Sequence, residues 1–176
     1  MRSTAFTILM GVFLFSSPRT ARLKEPPTDF CALLPVNHLE KVFEQPFGPV
    51  DKSTPPPSTS NVLSATECDY NSQKRGQRKI VFIVFEDTSA TAAKENFNRF
   101  MTMFGTTGLV DGVGELAYTD SNQAIHVLLG KIRYYISISP SGNNNQKAQQ
   151  QLKGLANWVD EHLSSASPQS VAGTHN

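Results

Sequence analysis

The apolar positions of this chain recur with two periods, and the places where the period changes mark its elements. Between Ala90 and Phe104 the spacing is helical, and Ala93, Phe97, Phe100, Met101 and Phe104 share one stripe. Asp87, Thr88 and Ser89 are N-cap candidates for this helix, and Gly105 stands where a helix C-terminus favours glycine. A second stripe, Ala148, Leu152, Leu155, Val159 and Leu163, predicts a helix over Gln146 to Leu163 with Trp158 at its edge. Leu33 to Glu44 carries a shorter stripe through Leu39, Val42 and Phe43. There Asn37, with Glu40 three residues on, approximates a capping box, and Gln45-Pro46 and Gly48-Pro49 stop the helix.

Elsewhere the period is that of strands. Ile80 to Phe85 is apolar on both faces and predicts a central strand covered on both sides. Ser64 to Tyr70 is mixed and reads as an edge strand carrying Cys68, joined to the first by a polar hairpin through Gly76. Further on, Gly130-Lys131 suits a two-residue turn, which pairs Leu129 with Ile132, Val127 with Tyr134 and Ile125 with Ile136. A second tight turn at Ser121-Asn122 would pair Tyr118 with Ile125 and Leu116 with Val127. Together these turns place Leu116, Tyr118, Ile125, Val127, Tyr134 and Ile136 on one face of a meander from Leu116 to Ile138.

The order helix, two strands, helix, three strands, helix predicts an α+β domain: one antiparallel sheet of about five strands with helices packed on it. The domain covers residues 31–163, after an extended lead-in over 22–30 and before a disordered tail over 164–176. Pro49 to Ser60 is a loop stiffened by Pro55-Pro56-Pro57 and reads as a spacer.

Composition changes this picture in two ways. A net charge of +1 supplies no field for nucleic acid or an anionic membrane. The one basic cluster, Lys74, Arg75, Arg78 and Lys79, falls at the hairpin tip and reads as solvated. The start is more informative: Met1-Arg2, an apolar run from Ala5 to Phe15, then Ser16, Ser17 and Pro18 match a secretory signal peptide over residues 1–21. The run is too short to span a bilayer, so a secreted or periplasmic protein with no stable span after cleavage is expected. An uncleaved amino-terminal anchor is the alternative.

In an exported chain the only two cysteines, Cys31 and Cys68, are most simply a structural disulfide. It would brace the first helix and the proline-rich loop against the sheet. A redox pair or a metal site is the alternative, though there is neither a C-x-x-C nor a ligand cluster to support it.

Candidate chemistry is sparse. Gly112-Val113-Gly114-Glu115-Leu116-Ala117-Tyr118 superficially suggests a phosphate loop, but it enters a strand rather than a helix and reads as a structural turn. His126 stands out. The register above puts it opposite Tyr135, beside Ala117 and with Arg133 diagonal on the same face, a set able to hold a carboxylate or phosphate group. An ordinary polar face, or packing under a helix, is the competing account. No G-x-S-x-G or H-E-x-x-H is present, and His38, His162 and His175 sit in unpromising places. Glu86-Asp87 is explained by helix capping. No catalytic residue, metal or cofactor is assigned.

Cys31-Ala32-Leu33-Leu34, Cys68-Asp69-Tyr70 and the Gly112 to Tyr118 segment, with a following hairpin, resemble small bacterial exported domains of unknown function over about Phe30 to Leu163. Many of these are envelope lipoproteins, similar in style to extracytoplasmic kinase sensor domains. The resemblance implies a Cys31–Cys68 disulfide, an α+β fold and no established catalysis; this chain lacks the lipidation box of the lipoprotein members.

The expected function is a non-enzymatic binding or sensing domain outside the cytoplasm, its partner an envelope or extracellular protein or a small ligand. The alternatives are a small hydrolase using the His126, Tyr135 and Arg133 face, and a structural component of an envelope complex. A deep pocket with His126 beside a carboxylate would favour the enzyme, and a flat or helix-covered face the binder. Exposed apolar surface around Trp158 would favour the structural role.

Overall fold

The computed structural model describes residues 29–57, 59–74, 78–139 and 146–166. The predicted signal peptide, nearly all of the lead-in, the hairpin tip at 75–77, and the chain from 167 on with His175 lie outside them.

At the start of the described residues the Asp29 carboxylate accepts the Cys31 N–H, opening a 3-10 turn over Phe30–Leu33. Helix α1 follows over Val36–Phe43. Pro35, not Asn37, occupies its N-cap, and there is no side-chain cap. A proline disfavours helical geometry in the residue before it, so Leu34 leaves the helical region, with φ −124° and ψ 74°, and the expected single helix from Leu33 is split in two. Glu40 is used elsewhere: its carboxylate accepts the Phe47 N–H and fastens the chain leaving the helix.

The sheet is antiparallel and has seven strands, not about five, in the order β1-β2-β3-β7-β6-β5-β4. These are β1 (Asp51–Ser53), β2 (Val62–Tyr70), β3 (Lys79–Asp87), β4 (Gly108–Leu109), β5 (Leu116–Thr119), β6 (Ile125–Leu129) and β7 (Ile132–Ser139). The two unforeseen strands are the sheet's edges. β1 is a wholly exposed Asp-Lys-Ser inside the proline-rich loop, with no hydrophobic alternation to reveal it, and it pairs through Lys52 with Cys68. The Cys68 segment is therefore not the outermost strand along that stretch.

Helices cover both faces. On one, α3 (Gln146–Ala166), α1 and the 3-10 turn enclose the main core, in which Leu34, Leu39, Phe82, Tyr134, Ile136, Leu155 and Val159 are buried. α3 runs three residues beyond Leu163, into the segment expected to be a disordered tail. Cys31 and Cys68 are joined by a disulfide within this layer, with Cα atoms 5.7 Å apart. Two further ties run alongside it: the Tyr70 hydroxyl donates to the Cys31 carbonyl, and Trp158 Nε1 to that of Leu33.

On the other face lies α2 (Ala90–Phe104), capped by the Ser89 hydroxyl accepting from the Ala92 N–H. Its Ala93 and Phe97 pack on Tyr118 and Leu128 in a second, smaller core. β3 divides its side chains between the two layers, Ile80, Phe82 and Val84 into one and Ile83 towards the other, which is why IVFIVF has no polar face.

The β6–β7 register agrees with expectation, with Leu129 opposite Ile132, Val127 opposite Tyr134 and Ile125 opposite Ile136. The β5–β6 register differs by one residue: Tyr118 lies opposite His126 and Ala117 opposite Val127. A one-residue slip exchanges faces, so Leu116 and Tyr118 join His126 on the α2 side, and Ala117 faces the main core. The cause is the turn. It is not a two-residue hairpin at Ser121-Asn122 but a longer loop, closed by Asp120 N–H donating to the Ala124 carbonyl and Gln123 N–H to that of Asp120.

Candidate functional site

That loop also builds the site. One oxygen of Asp120 accepts the N–H groups of Asn122 and Ala124, both at 2.9 Å, an arrangement in which the side chain imitates a backbone turn. Gln123 takes a left-handed conformation, φ 64°, to complete the bend. The second oxygen lies 3.0 Å from His126 Nε2 on the adjoining strand. Burial works against ionising Asp120. The His126 hydrogen bond, the Ala124 N–H, the His126 charge and the Asn122 N–H outweigh it and hold the carboxyl below its ordinary value. The ionised carboxylate accepts, so Nε2 carries the proton of this hydrogen bond.

The imidazole is set among aromatic rings. Tyr118 stacks on it in parallel at 4.5 Å, Tyr135 leans in at 5.3 Å, and Phe104, at the end of α2, stands off at 6.0 Å. Beside it opens a cavity of about 340 Å³, lined by Phe85, Phe100, Phe104 and Tyr135, with Asp120, Asn122, His126 and Ser137 as its polar groups. This size is within the range of small-molecule sites. Burial, with the charges of Glu67, Asp69 and Asp120, pushes Tyr135 up to about 12, so its hydroxyl stays protonated at neutral pH. Burial likewise raises Tyr118, whose hydroxyl is enclosed without a hydrogen-bond partner.

Of the residues singled out in the sequence, His126 and Tyr135 do meet at this cavity, opposite each other as expected. Arg133 shares their face but is turned inward. It is 3% exposed; its Nε donates to the Asp87 carboxylate at 2.7 Å, and its guanidinium lies 4.2 Å from the Phe85 ring centre and 4.8 Å from that of Phe100. Asp87 is fully buried and also accepts from Asn96 at 2.7 Å. It is thus not a helix cap but one half of an ion pair fastening β3 and α2 to β7. The cluster has no cation facing the cavity to receive a carboxylate or phosphate.

No protein-family model matches this chain, and no curated protein matches its sequence. What the site does must therefore be read from its own chemistry. Its unforeseen member is Asp120. The signal was present in Thr-Asp-Ser-Asn, where an aspartate two residues before an asparagine offers its side chain to the backbone, but a two-residue turn left Asp120 outside the loop.

Two other histidines form a separate group: His38 on α1 and His162 on α3 both stack on the Trp158 indole, with ring centres 3.9 Å and 4.2 Å away. Burial, with the charges of Lys41 and His162, lowers the His38 pKa. Trp158 itself packs against the main core; among the described residues the large apolar side chains that are exposed are Leu63, Met103, Phe104 and Leu109. Among the described residues no group of three or more His, Cys, Asp or Glu is placed to hold a metal ion, and no helix is long and apolar enough to cross a membrane.

Gly112 and Gly114 form the turn into β5, with φ of 75° and 54°. A Cβ at Gly114 would meet the Leu128 carbonyl oxygen at 2.6 Å, so only glycine fits, and its N–H donates to Asp160 on α3. This is a structural turn tied to the opposite layer.

Proposed function

We propose that the protein is a non-enzymatic binding or sensing domain acting outside the cytoplasm, and that the cavity beside His126 is where it takes a small ligand. One observation carries the reading: an aromatic cavity of about 340 Å³ opens on the sheet while the ionic groups around it are satisfied within the protein. Asp120 is held by two N–H groups and His126, and Arg133 by Asp87. Such a site is pre-organised to receive a ligand, and it spends little of its polarity on chemistry. The Cys31–Cys68 disulfide and the signal-like start agree with an oxidising location. So does the likeness to exported envelope domains.

The His126–Asp120 pair favours a second reading, a hydrolase, since a histidine oriented by a carboxylate is half of a nucleophile-activating system. Ser137 on the cavity wall is the candidate nucleophile. Against it, no hydrogen bond joins Ser137 to His126 among the described residues.

Titration of the purified protein with a small-molecule extract of envelope and culture fluid, read by amide NMR, tests the first reading. Shifts gathered at Phe104, Asn122, His126 and Tyr135 are expected, and an unperturbed cavity would remove it. Incubation with p-nitrophenyl esters tests the second. Hydrolysis abolished in both His126→Ala and Ser137→Ala would replace the binding domain with an enzyme.

A further inference from the structure

Resting on the cavity as a binding site, we infer that its ligand class is a small, uncharged, planar aromatic, such as a phenol, which inserts between Phe104 and His126.

Charge decides the first part. The cavity lining contains no Lys or Arg; on this face of the sheet Arg133 is paired with Asp87 and Lys79 with Asp69. Asp120 is the lining's only acid, and the charges of Glu67 and Asp69 help to raise the Tyr135 pKa. An anion would thus meet negative potential and no partner. A cation fares no better. Both Asp120 oxygens already accept hydrogen bonds, and the Arg133 guanidinium lies on Phe85 and Phe100, two of the rings a cation would use. A neutral ligand is what remains.

Shape decides the second part. Four rings follow one another: Phe100 stacks on Phe104 at 5.6 Å, Phe104 faces His126 at 6.0 Å, and His126 stacks on Tyr118 at 4.5 Å. The members of each of these pairs lie within 23° of parallel. The Phe104–His126 step is the widest. A planar ring between two others needs about 7 Å, twice the usual carbon contact distance, so the step must open by about 1 Å. Phe104 can yield, being the last residue of α2, 38% exposed, and followed by Gly105 at φ 73°.

The test uses the purified protein and four probes of similar size: 4-methylphenol, 4-methylcyclohexanol, 4-methylbenzoate and phenyltrimethylammonium, each titrated by amide and ring-proton NMR. The expected result is that 4-methylphenol shifts Phe104, Asn122 and His126 and binds about fivefold or more tighter than the other three. Phe104→Ala should weaken it about fivefold while Phe104→Trp retains it. Tighter binding of the anion or the cation at these residues overturns the inference about charge and leaves the cavity a ligand site. Equal binding of 4-methylcyclohexanol overturns insertion between rings. Silence from all four probes, with shifts at the cavity from the extract, overturns the ligand class alone; silence from both removes the binding reading as well.

Discussion

The two faces of the sheet are built on different principles. The face under α3 and α1 is continuous hydrocarbon and aromatic packing, with Leu34, Leu39, Phe82, Ile136, Leu155 and Val159 all at 3% exposure or less, and a disulfide within it. The face under α2 has Ala93, Phe97, Tyr118 and Leu128 as its apolar centre and encloses the ion pair Arg133–Asp87 and the hydrogen-bonded pair His126–Asp120. Apolar packing tolerates small displacements at modest cost, whereas a buried charge tolerates the loss of its partner badly. One face can therefore serve as foundation, and the other can hold a cavity whose polar groups stay in fixed places.

The sharpest way to break this contrast is at Arg133. Arg133→Ala leaves Asp87 as an uncompensated buried charge and should cost about 4 kcal/mol in urea unfolding. The double variant Arg133→Met with Asp87→Leu should recover much of that, because removing both charges also removes their desolvation. If the single variant costs less than about 1 kcal/mol, the pair is not a fixed element of this face.

Next is the brace on the opposite face. Replacing Cys31 and Cys68 together with serine should cost about 4 kcal/mol, the chain-entropy value for the bridged loop. Residues 31–63 should gain amide exchange while the strands from Ile80 onward keep their protection. Equal loss of protection throughout would mean the two layers are not separable.

Asp120→Ala should cost about 2 kcal/mol, since it leaves two turn N–H groups and His126 without their acceptor. The pH dependence identifies the cause. The folded state holds this carboxyl below its ordinary value of 3.8, so its contribution is complete above that value and is lost as pH falls through the lower folded one. Stability curves of the parent and the variant should therefore converge in acid. A constant gap would point to turn geometry alone.

The smallest effect belongs to Phe104→Ala, which should change stability by under about 1 kcal/mol because the ring is 38% exposed, and should be felt in ligand binding instead.

How far these features could be read from the sequence follows from their physics. Both longer helices and the β6–β7 hairpin were legible, because Phe97, Leu152, Val127 and Tyr134 recur at a period that only one structure satisfies. β1 and β4 were not. Asp51–Ser53 and Gly108–Leu109 belong to the sheet by backbone hydrogen bonding against β2 and β5, and side-chain patterns carry no trace of that. Pro35 was legible in principle, as a residue that forbids a helix through Leu34. The site failed at a single residue. Taking Ser121-Asn122 as the turn placed Ala117 beside His126 and so concealed both Tyr118 and Asp120, while Tyr135, fixed by the other hairpin, was placed correctly. The partners of Arg133 were hidden for another reason: Asp87 precedes a helix, where an aspartate is ordinarily explained by local capping.

The buried disulfide has a kinetic consequence. Cys68 has no exposed surface and Cys31 is 5% exposed, so a reducing thiol has no line of approach to either sulfur while the Phe30–Leu33 turn is seated. Reduction must wait for that turn to lift, which also requires releasing Tyr70 and Trp158 from its carbonyls. At high thiol concentration the rate of bond cleavage should therefore level off at the opening rate of the amino-terminal segment. The bridge then acts as a built-in clock for one local motion, running independently of whatever occupies the opposite face.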